Sequence, residues 1–409
     1  MRYLSRICSI IILLVAATGT AGAQSLFSLN YIGEHSFRGG ARDAALAFST
    51  AALPDSTAAL TMNPATTASL SRVTLGLNQR FLFSTAIYGD NEASRNNYQL
   101  PAVVVAFPVA EGLVFNMGYR TRFEGKVDFE VPAEVSGPSY AWSGTALEEY
   151  SHNGSLYSVP IGVAWKIHER LSLASEIHVE RGSIRDKVTE NFKNQDYSLV
   201  NSEIKRNFSA TSWGISVLAK LHSRFMVGAA YDAQINYSVN EHIDYSLSEL
   251  NSRSSYDFSL PASYNISIAA GVSERWWFSS GLWVRETPGA EGFEQFEGAL
   301  GEEIMVAAGL ERRRDNESGS FFSRIPLRIG YYEDRWHIEI PTRGEQVISR
   351  FVTFGSGMNL PGGPGSLDLS FEFGRIGSND SNGIEENVMR VNLSVNLSES
   401  WKGREQKKY

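Results

Sequence analysis

The chain has 409 residues, a formal net charge of −8, one cysteine, 11% aromatic residues and only 20% charged residues. The acidic balance argues against nucleic acid as a partner, and a lone cysteine excludes an intramolecular disulfide framework. After the leader region no apolar run approaches the roughly 18 residues of a membrane-crossing helix.

Arg2 and Arg6 precede the apolar run Ile10–Ala17, and small residues then lead to Ala21-Gly22-Ala23 before Gln24. A positive start, a short apolar core and an A-x-A-like site predict a secretory signal peptide over 1–23. Cys8 lies inside it, so the exported chain is expected to hold together by packing and backbone pairing alone. The next stretch, Gly39–Ala65, is rich in Ala but interrupted by Pro54 and Pro64. It is too long for a hairpin turn and too broken for one helix. Placed before a barrel, a small-residue segment of this kind can fold into the lumen as a plug.

From residue 72 onward the signal is period-2 alternation, apolar on one parity and small or polar on the other. Such segments fall near 72–84, 99–108, 112–124, 155–167, 170–184, 205–220, 224–240, 255–272, 275–286, 302–312, 321–333, 347–360, 365–376 and 386–400. Phe225 to Val239 and Tyr256 to Ala270 each read as one unbroken lipid-facing parity. Short turns, at Ala110-Glu111, His168-Glu169, His222-Ser223, Val272–Glu274 and Leu360–Pro364, alternate with long polar connections near 85–98, 125–154, 185–204, 241–254, 287–301, 334–346 and 377–385. Only Glu311–Ser320 is long on the short-turn side. An even number of alternating strands with loops sorted by length fits a transmembrane barrel with short periplasmic turns. The expected fold is therefore all-β: a transmembrane antiparallel β-barrel of about 14 strands with an N-terminal hatch in the lumen. The expected divisions are signal peptide 1–23, hatch 24–70, barrel 71–401 and a periplasmic tail 402–409. A soluble sandwich or propeller is the competing architecture.

Charge facing lipid costs about 2–4 kcal/mol for Arg or Lys at the midplane. The polar parity should therefore face the lumen, placing Arg72, Arg80, Arg120, Arg122, Arg324 and Arg328 inward, with Glu176, His178, Glu180, Asp257, Asp368 and Glu372. These either brace the barrel as a cross-lumen charge ladder or supply an arginine to a ligand carboxylate. Trp277, Trp283, Tyr332 and Phe351 are apolar at lumen parity and suggest packing against a plug or a ligand pocket.

Three regions resemble the FadL-type outer-membrane transporters. They are Gly40-Ala41-Arg42 through Asn63-Pro64-Ala65, the Leu260-Pro261 strand with the Trp-rich strand after it, and Ile325-Pro326-Leu327-Arg328-Ile329-Gly330-Tyr331. The resemblance implies a 14-stranded barrel closed by its N-terminal residues, and passive uptake of long-chain fatty acids or other small hydrophobic compounds. It also implies lateral exit near Asn63-Pro64-Ala65 through the third strand, where Gly118 is the weak point. Candidate ligand and hatch residues are Asn63, Pro64, Ala65, Gly118, Arg120, Arg122, Trp277, Trp283, Arg328 and Phe351. Expected partners are a fatty acid-like small molecule, outer-membrane lipid and the barrel assembly machinery.

No G-x-S-x-G, H-E-x-x-H or Walker loop occurs, and the histidines are scattered. Neither an enzyme, a cofactor nor a metal site is expected. The alternative function is a barrel of the same fold serving as a structural or secretion-machinery subunit of the outer membrane. The two readings differ at the plug: a transporter needs a ligand-sized apolar cavity between Asn63-Pro64-Ala65 and strands 112–124 and 275–286, whereas a structural subunit packs that space with side chains.

Overall fold

The structure is a computed structural model. It describes residues 25–29, 32–136, 143–192, 200–246, 248–289, 300–314, 325–340, 345–360 and 365–399. The expected signal peptide, the C-terminal tail and Arg324 lie outside the described residues.

Fourteen antiparallel strands close into a barrel. They are β1 Val73–Tyr88, β2 Asn91–Ala110, β3 Leu113–Ser136, β4 Ser143–His168, β5 Leu171–Phe192 and β6 Val200–His222. Next come β7, in two stretches Phe225–Asp232 and Ile235–Tyr245, and β8, in two stretches Ser252–Leu260 and Ser263–Gly271. The wall is completed by β9 Trp276–Arg285, β10 Glu303–Arg312, β11 Leu327–Ile340, β12 Glu345–Asn359, β13 Gly365–Ser378 and β14 Ile384–Glu399. Closure runs from the Glu399–Val73 pair to the Glu385–Ile87 pair. Every expected alternating segment, where described, falls on one of these strands.

The long connections are shorter than their sequences suggest. Much of 85–98 is hairpin, with Tyr88 paired to Asn91 across Gly89-Asp90. Gly89 has φ +56°, as so tight a turn requires. Most of 125–154 likewise continues β3 and β4, paired out to Ser136–Ser143. These stretches read as loops because their outward residues are polar. The backbone ladder continues where the lipid-facing signal stops.

The place where the signal stops is marked by aromatic rings on the outer face. Tyr119 lies against Tyr157 (centroids 5.3 Å apart), Trp213 against Tyr231 (5.5 Å) and Tyr231 against Tyr264 (5.2 Å). Toward the short turns from this girdle, outward residues are apolar and open: Ile177 is 57% exposed and Ile266 53%. Only lipid makes such a band stable. On the long-hairpin side the chemistry inverts, and the inner face becomes the apolar one. Phe123, Leu156, Ile184, Phe208, Tyr237, Val239 and Phe258 form a buried cluster across the barrel.

Several strands switch parity here, β7 and β8 among them. In β7 the ladder breaks at Ala233-Gln234, whose Ala233 N–H donates to the Trp213 carbonyl (2.9 Å). In β8 it breaks at Pro261, which has no N–H to continue the pairing. Ile235, Tyr237, Val239, Phe258 and Leu260, expected toward lipid, therefore point inward and are at most 2% exposed. The same switch turns Asp257 outward, correcting its expected lumen position. Arg72, also expected inward, is exposed ahead of β1. Arg80, Glu176, His178, Glu180, Arg328, Asp368 and Glu372 are buried inside.

β2 and β3 part company midway. Their last pair is Ala102–Arg120, directly after Pro101. Above it the edge of β3 is taken by a two-residue strand, Glu34–His35, pairing with Glu124 and Phe123. Ser36 and Phe37 extend this with N–H bonds to the Arg122 and Thr121 carbonyls (2.9 and 3.0 Å).

Candidate functional site

The lumen is occupied by the chain's own residues 25–29 and 32–70. Ala41 through Leu53 are all buried. A short helix, α1 Ala41–Ala45, starts at Gly40, and the Asp43 carboxylate accepts from the Gly40 N–H (2.8 Å) and from Thr50 Oγ1 (2.5 Å). Burial pushes the Asp43 carboxyl up to about 6, against the opposing pull of its Thr50 bond and of Arg42. After α1 the chain turns through two consecutive left-handed residues, Ala47 (φ +54°) and Phe48 (φ +60°). Such conformations cost side-chain-bearing residues about 1–3 kcal/mol each. Here they seat the Phe48 ring edge-on to Tyr332, 5.7 Å away.

Asn63-Pro64-Ala65 forms a helix start. Asn63 Oδ1 accepts from the Ala65 N–H (2.9 Å), and Pro64 occupies the first position of the 3-10 helix Pro64–Ser69, where an N–H is not needed. The Asn63 amide also donates to the Ala51 carbonyl (2.7 Å) and the Val217 carbonyl of β6 (2.9 Å). One side chain thus ties two turns of the plug to the wall.

The wall meets the plug with small residues. A Cβ added at Gly228 would lie 2.1 Å from the Ala51 carbonyl oxygen, and one at Gly355 2.3 Å from the Ala45 Cβ. At Gly309 and Gly330 the nearest plug atoms would be 2.8 Å away. Between these glycines, wall hydroxyls bond plug backbone: Ser267 Oγ accepts from the Ala52 N–H (2.7 Å), Ser394 Oγ from the Ala41 N–H (2.7 Å), and Thr353 Oγ1 donates to the Ala45 carbonyl (2.9 Å). Buried plug backbone groups are satisfied by the barrel itself.

Ion pairs lock both ends. Toward the short turns, Arg42 donates twice to Glu311 (3.1 and 2.9 Å), which also accepts from Arg328 (2.9 Å); Arg328 in turn reaches Asp368 (2.6 Å). Toward the girdle, Arg38 bridges Glu303 and Asp334 (2.8 and 2.7 Å), and Arg390 pairs with Glu34. Arg120 and Arg122 hold Glu176 and Glu180 (2.9 and 2.8 Å).

Among the described residues, the space beside Asn63-Pro64-Ala65 is a cavity of about 120 Å³; a smaller one of about 20 Å³ lies by Phe48 and Tyr332, and a more open one of about 260 Å³ lies beside Arg42 and Glu311. The first is bordered by Pro64, Arg120, Arg122, His178, Trp283 and Arg285, among others. Pockets for small organic ligands run to roughly 300–1,000 Å³ and are mostly apolar; this space is smaller, and its border mixes charged groups with apolar ones such as Phe37, Met62 and Trp283.

The structure thus brings four candidate residues together at this cavity: Pro64, Arg120, Arg122 and Trp283. Asn63 and Ala65 flank it. Arg328 belongs to the Arg42–Glu311 cluster instead. Phe351 stacks on Tyr332 (5.1 Å), and Trp277 packs with Leu46 and Leu53 beneath the Arg313 guanidinium, 4.1 Å from its ring. Gly118 sits in the β2–β3 ladder opposite Val104. Sequence reasoning missed Arg42, Glu303, Glu311 and the plug-facing glycines. The glycines did carry a signal: Gly228, Gly309, Gly330 and Gly355 all fall on the lumen parity of their strands. Among the described residues no group of three or more metal-ligating side chains is present.

Comparison with one solved structure shows a shared fold. A FadL homologue from Pseudomonas aeruginosa superposes with a TM-score of 0.63 at 11% identity, covering 89% of this chain and 99% of that one. The Pseudomonas putida toluene transporter TodX aligns with a TM-score of 0.47 at 11% identity, covering 85% and 96%. No curated protein sequence matches the chain. A family model described as BamG, in contrast, matches residues 3–409, and by that match across nearly its whole length the chain belongs to the BamG family.

Proposed function

We propose that this protein is a sealed barrel of the bacterial outer membrane with a structural role, a subunit of a larger outer-membrane machine for secretion or barrel assembly. It is exported by residues 1–23, and residues 24–70 act as a plug rather than a mobile gate. The observation that carries this reading is the filled lumen. Where a conduit for hydrophobic compounds needs an apolar cavity of ligand size, the space beside Asn63-Pro64-Ala65 holds about 120 Å³, bordered by four arginines and two carboxylates as well as apolar side chains. Buried carboxylates and guanidiniums in mutual contact resist opening, because separating them strands uncompensated charge.

A second reading, passive uptake of small hydrophobic compounds with fatty acids as one class, is favoured by the seam between β2 and β3. There the wall lacks direct pairing above Ala102–Arg120 and the plug's Glu34–His35 stands in. Its fold likeness to the FadL homologue agrees with either reading. Retraction of the plug strand would join the cavity to the lipid side, and Arg120 and Arg122 would face an entering carboxylate.

Reconstitution separates the two. A structural subunit conducts no ions in planar bilayers, carries no oleate or toluene into liposomes faster than empty lipid, and co-purifies in mild detergent with stoichiometric outer-membrane partners. Removal of Gly39–Ala65 opens a conducting, still heat-modifiable barrel. Oleate or toluene flux through the intact chain, diminished in R120A/R122A, would overturn the structural reading in favour of uptake.

A further inference from the structure

We propose that the outer face of β3–β8, just beyond the aromatic girdle, binds the phosphate-bearing headgroup of an outer-leaflet glycolipid. Register places Lys126, Asn153, Arg185, Lys205, His242 and Arg253 side by side on six successive strands. All six point outward, since their neighbours Ile184, Arg206 and Val127 are buried inside and Glu241 pairs inward with Arg206. Adjacent strands lie about 4.8 Å apart, so the row spans roughly 24 Å.

Like charges directly opposite one another on a sheet destabilise it. Arg185 and Lys205 are such a pair, and the row continues the same way through His242 to Arg253. Of the basic members only Arg185 has a carboxylate within 4 Å among the described residues, Glu203 at 3.0 Å. The opposite sector is built differently: its outward Arg350 and Arg375 are each paired, with Glu333 (2.8 Å) and Glu385 (3.3 Å). A basic row compensated only at Arg185 calls for an external anion.

Position identifies the anion. On β4 the row lies four residues past Tyr157 of the girdle, about 13 Å along the strand and roughly 10 Å in height at a barrel strand's usual tilt. That is headgroup level. Between girdle and row runs a shallow groove of about 390 Å³, bordered by Ser183, Asn207, Asn240 and Arg181. Its small polar floor leaves room for a sugar below the basic row, and the guanidiniums supply bidentate contacts to phosphate. This inference uses the outer-membrane placement proposed above but not the sealed lumen, and its test reads binding alone.

The test is native mass spectrometry of the full chain in detergent, titrated with bis-phosphorylated lipid A or its fully dephosphorylated form. The intact chain should retain the phosphorylated lipid at least about tenfold better, increasingly so at low salt. R185S/K205S/R253S should lose that preference, while R350S/R375S keeps it and both stay heat-modifiable. K205Q alone, expected to weaken retention severalfold, serves if the triple variant does not fold. Equal retention of the two lipids, or an unchanged basic-row variant, would overturn the proposal. So would complete displacement of lipid A by an equal concentration of inorganic pyrophosphate, which would mark a site for free phosphate.

Discussion

Adding one methyl group to the wall at two glycines should loosen the plug more than the barrel, whose nearest atom to the new methyl at Gly355 is the Leu369 carbonyl oxygen at 2.8 Å. In G228A the new Cβ would lie 2.1 Å from the Ala51 oxygen and 2.4 Å from its carbonyl carbon; in G355A it would lie 2.3 Å from the Ala45 Cβ. Ordinary contact needs well over 3 Å, so plug backbone must retreat by about 1 Å at both places. Overpacking of that size costs about 1–3 kcal/mol per site, and the sites, on β7 and β12, share no partners, so their effects should add. A combined 2–6 kcal/mol corresponds to a plug-loosened population raised at least about 30-fold, each 1.4 kcal/mol being a factor of ten. Hydrogen exchange over 41–53 reads this directly, and heat-modifiability confirms that the wall ladder persists. The expected result is faster exchange in each single variant, and much faster in the double, with strands β3–β6 unchanged. Identical exchange over 41–53 in G228A/G355A and the parent would refute the claim that these glycines exist for the plug.

Removing the arginine of the cluster near the short turns, as R42M, should destabilise the plug by roughly 3–5 kcal/mol, because Glu311 then keeps only part of its compensation; protease sensitivity around Ser56-Thr57 measures it. N63A loses a helix cap, about 1 kcal/mol, and leaves the buried Ala51 and Val217 carbonyls short of a donor for about 1–3 kcal/mol more. Exchange at residues 64–69 should rise accordingly. The Asp43 carboxyl, raised to about 6 by burial from its ordinary 3.8, contributes stability that is complete below about pH 4 and lost as pH rises through about 6. Plug protection, taken relative to the intrinsic exchange rate at each pH, should therefore be greater at pH 4.5 than at pH 8, and D43N should flatten that dependence. Replacing girdle residues as Y157A/W213A should weaken insertion into liposomes while leaving the detergent-folded state intact.

Strand number and closure were legible because lipid imposes alternation on the wall. Fourteen patches of it survive in the sequence, and each is a strand. What alternation could not convey was where lipid ends. Ile235, Tyr237 and Phe258 continue the apolar rhythm of Phe225 and Tyr264, yet two local breaks, at Ala233-Gln234 and at Pro261, turn them inside. An apolar residue facing lipid and one facing a dry core look identical in one dimension. The segment 41–53, buried against the inner wall, stands out in sequence by its Ala-rich composition. Its partners were not legible, since Arg42 and Glu311 are 269 residues apart and meet only through the barrel's closure. Arg120, Arg122 and Trp283 could be placed at one cavity by parity; that its border mixes charged groups with apolar ones depends on Glu176, His178 and Asp232 arriving from other strands.

The inversion of inside and outside along the wall gives the molecule a second personality above the girdle. From Tyr119 to Ser136 β3 runs 17 further residues, at most about 56 Å of strand. As far as Val127, the last buried inward residue of β3, the protein obeys the rules of a water-soluble domain, with a dry centre and a wet exterior. A neighbour approaching from outside the cell would meet this extension before it met any lipid, and contacts made there need no hydrophobic surface of their own.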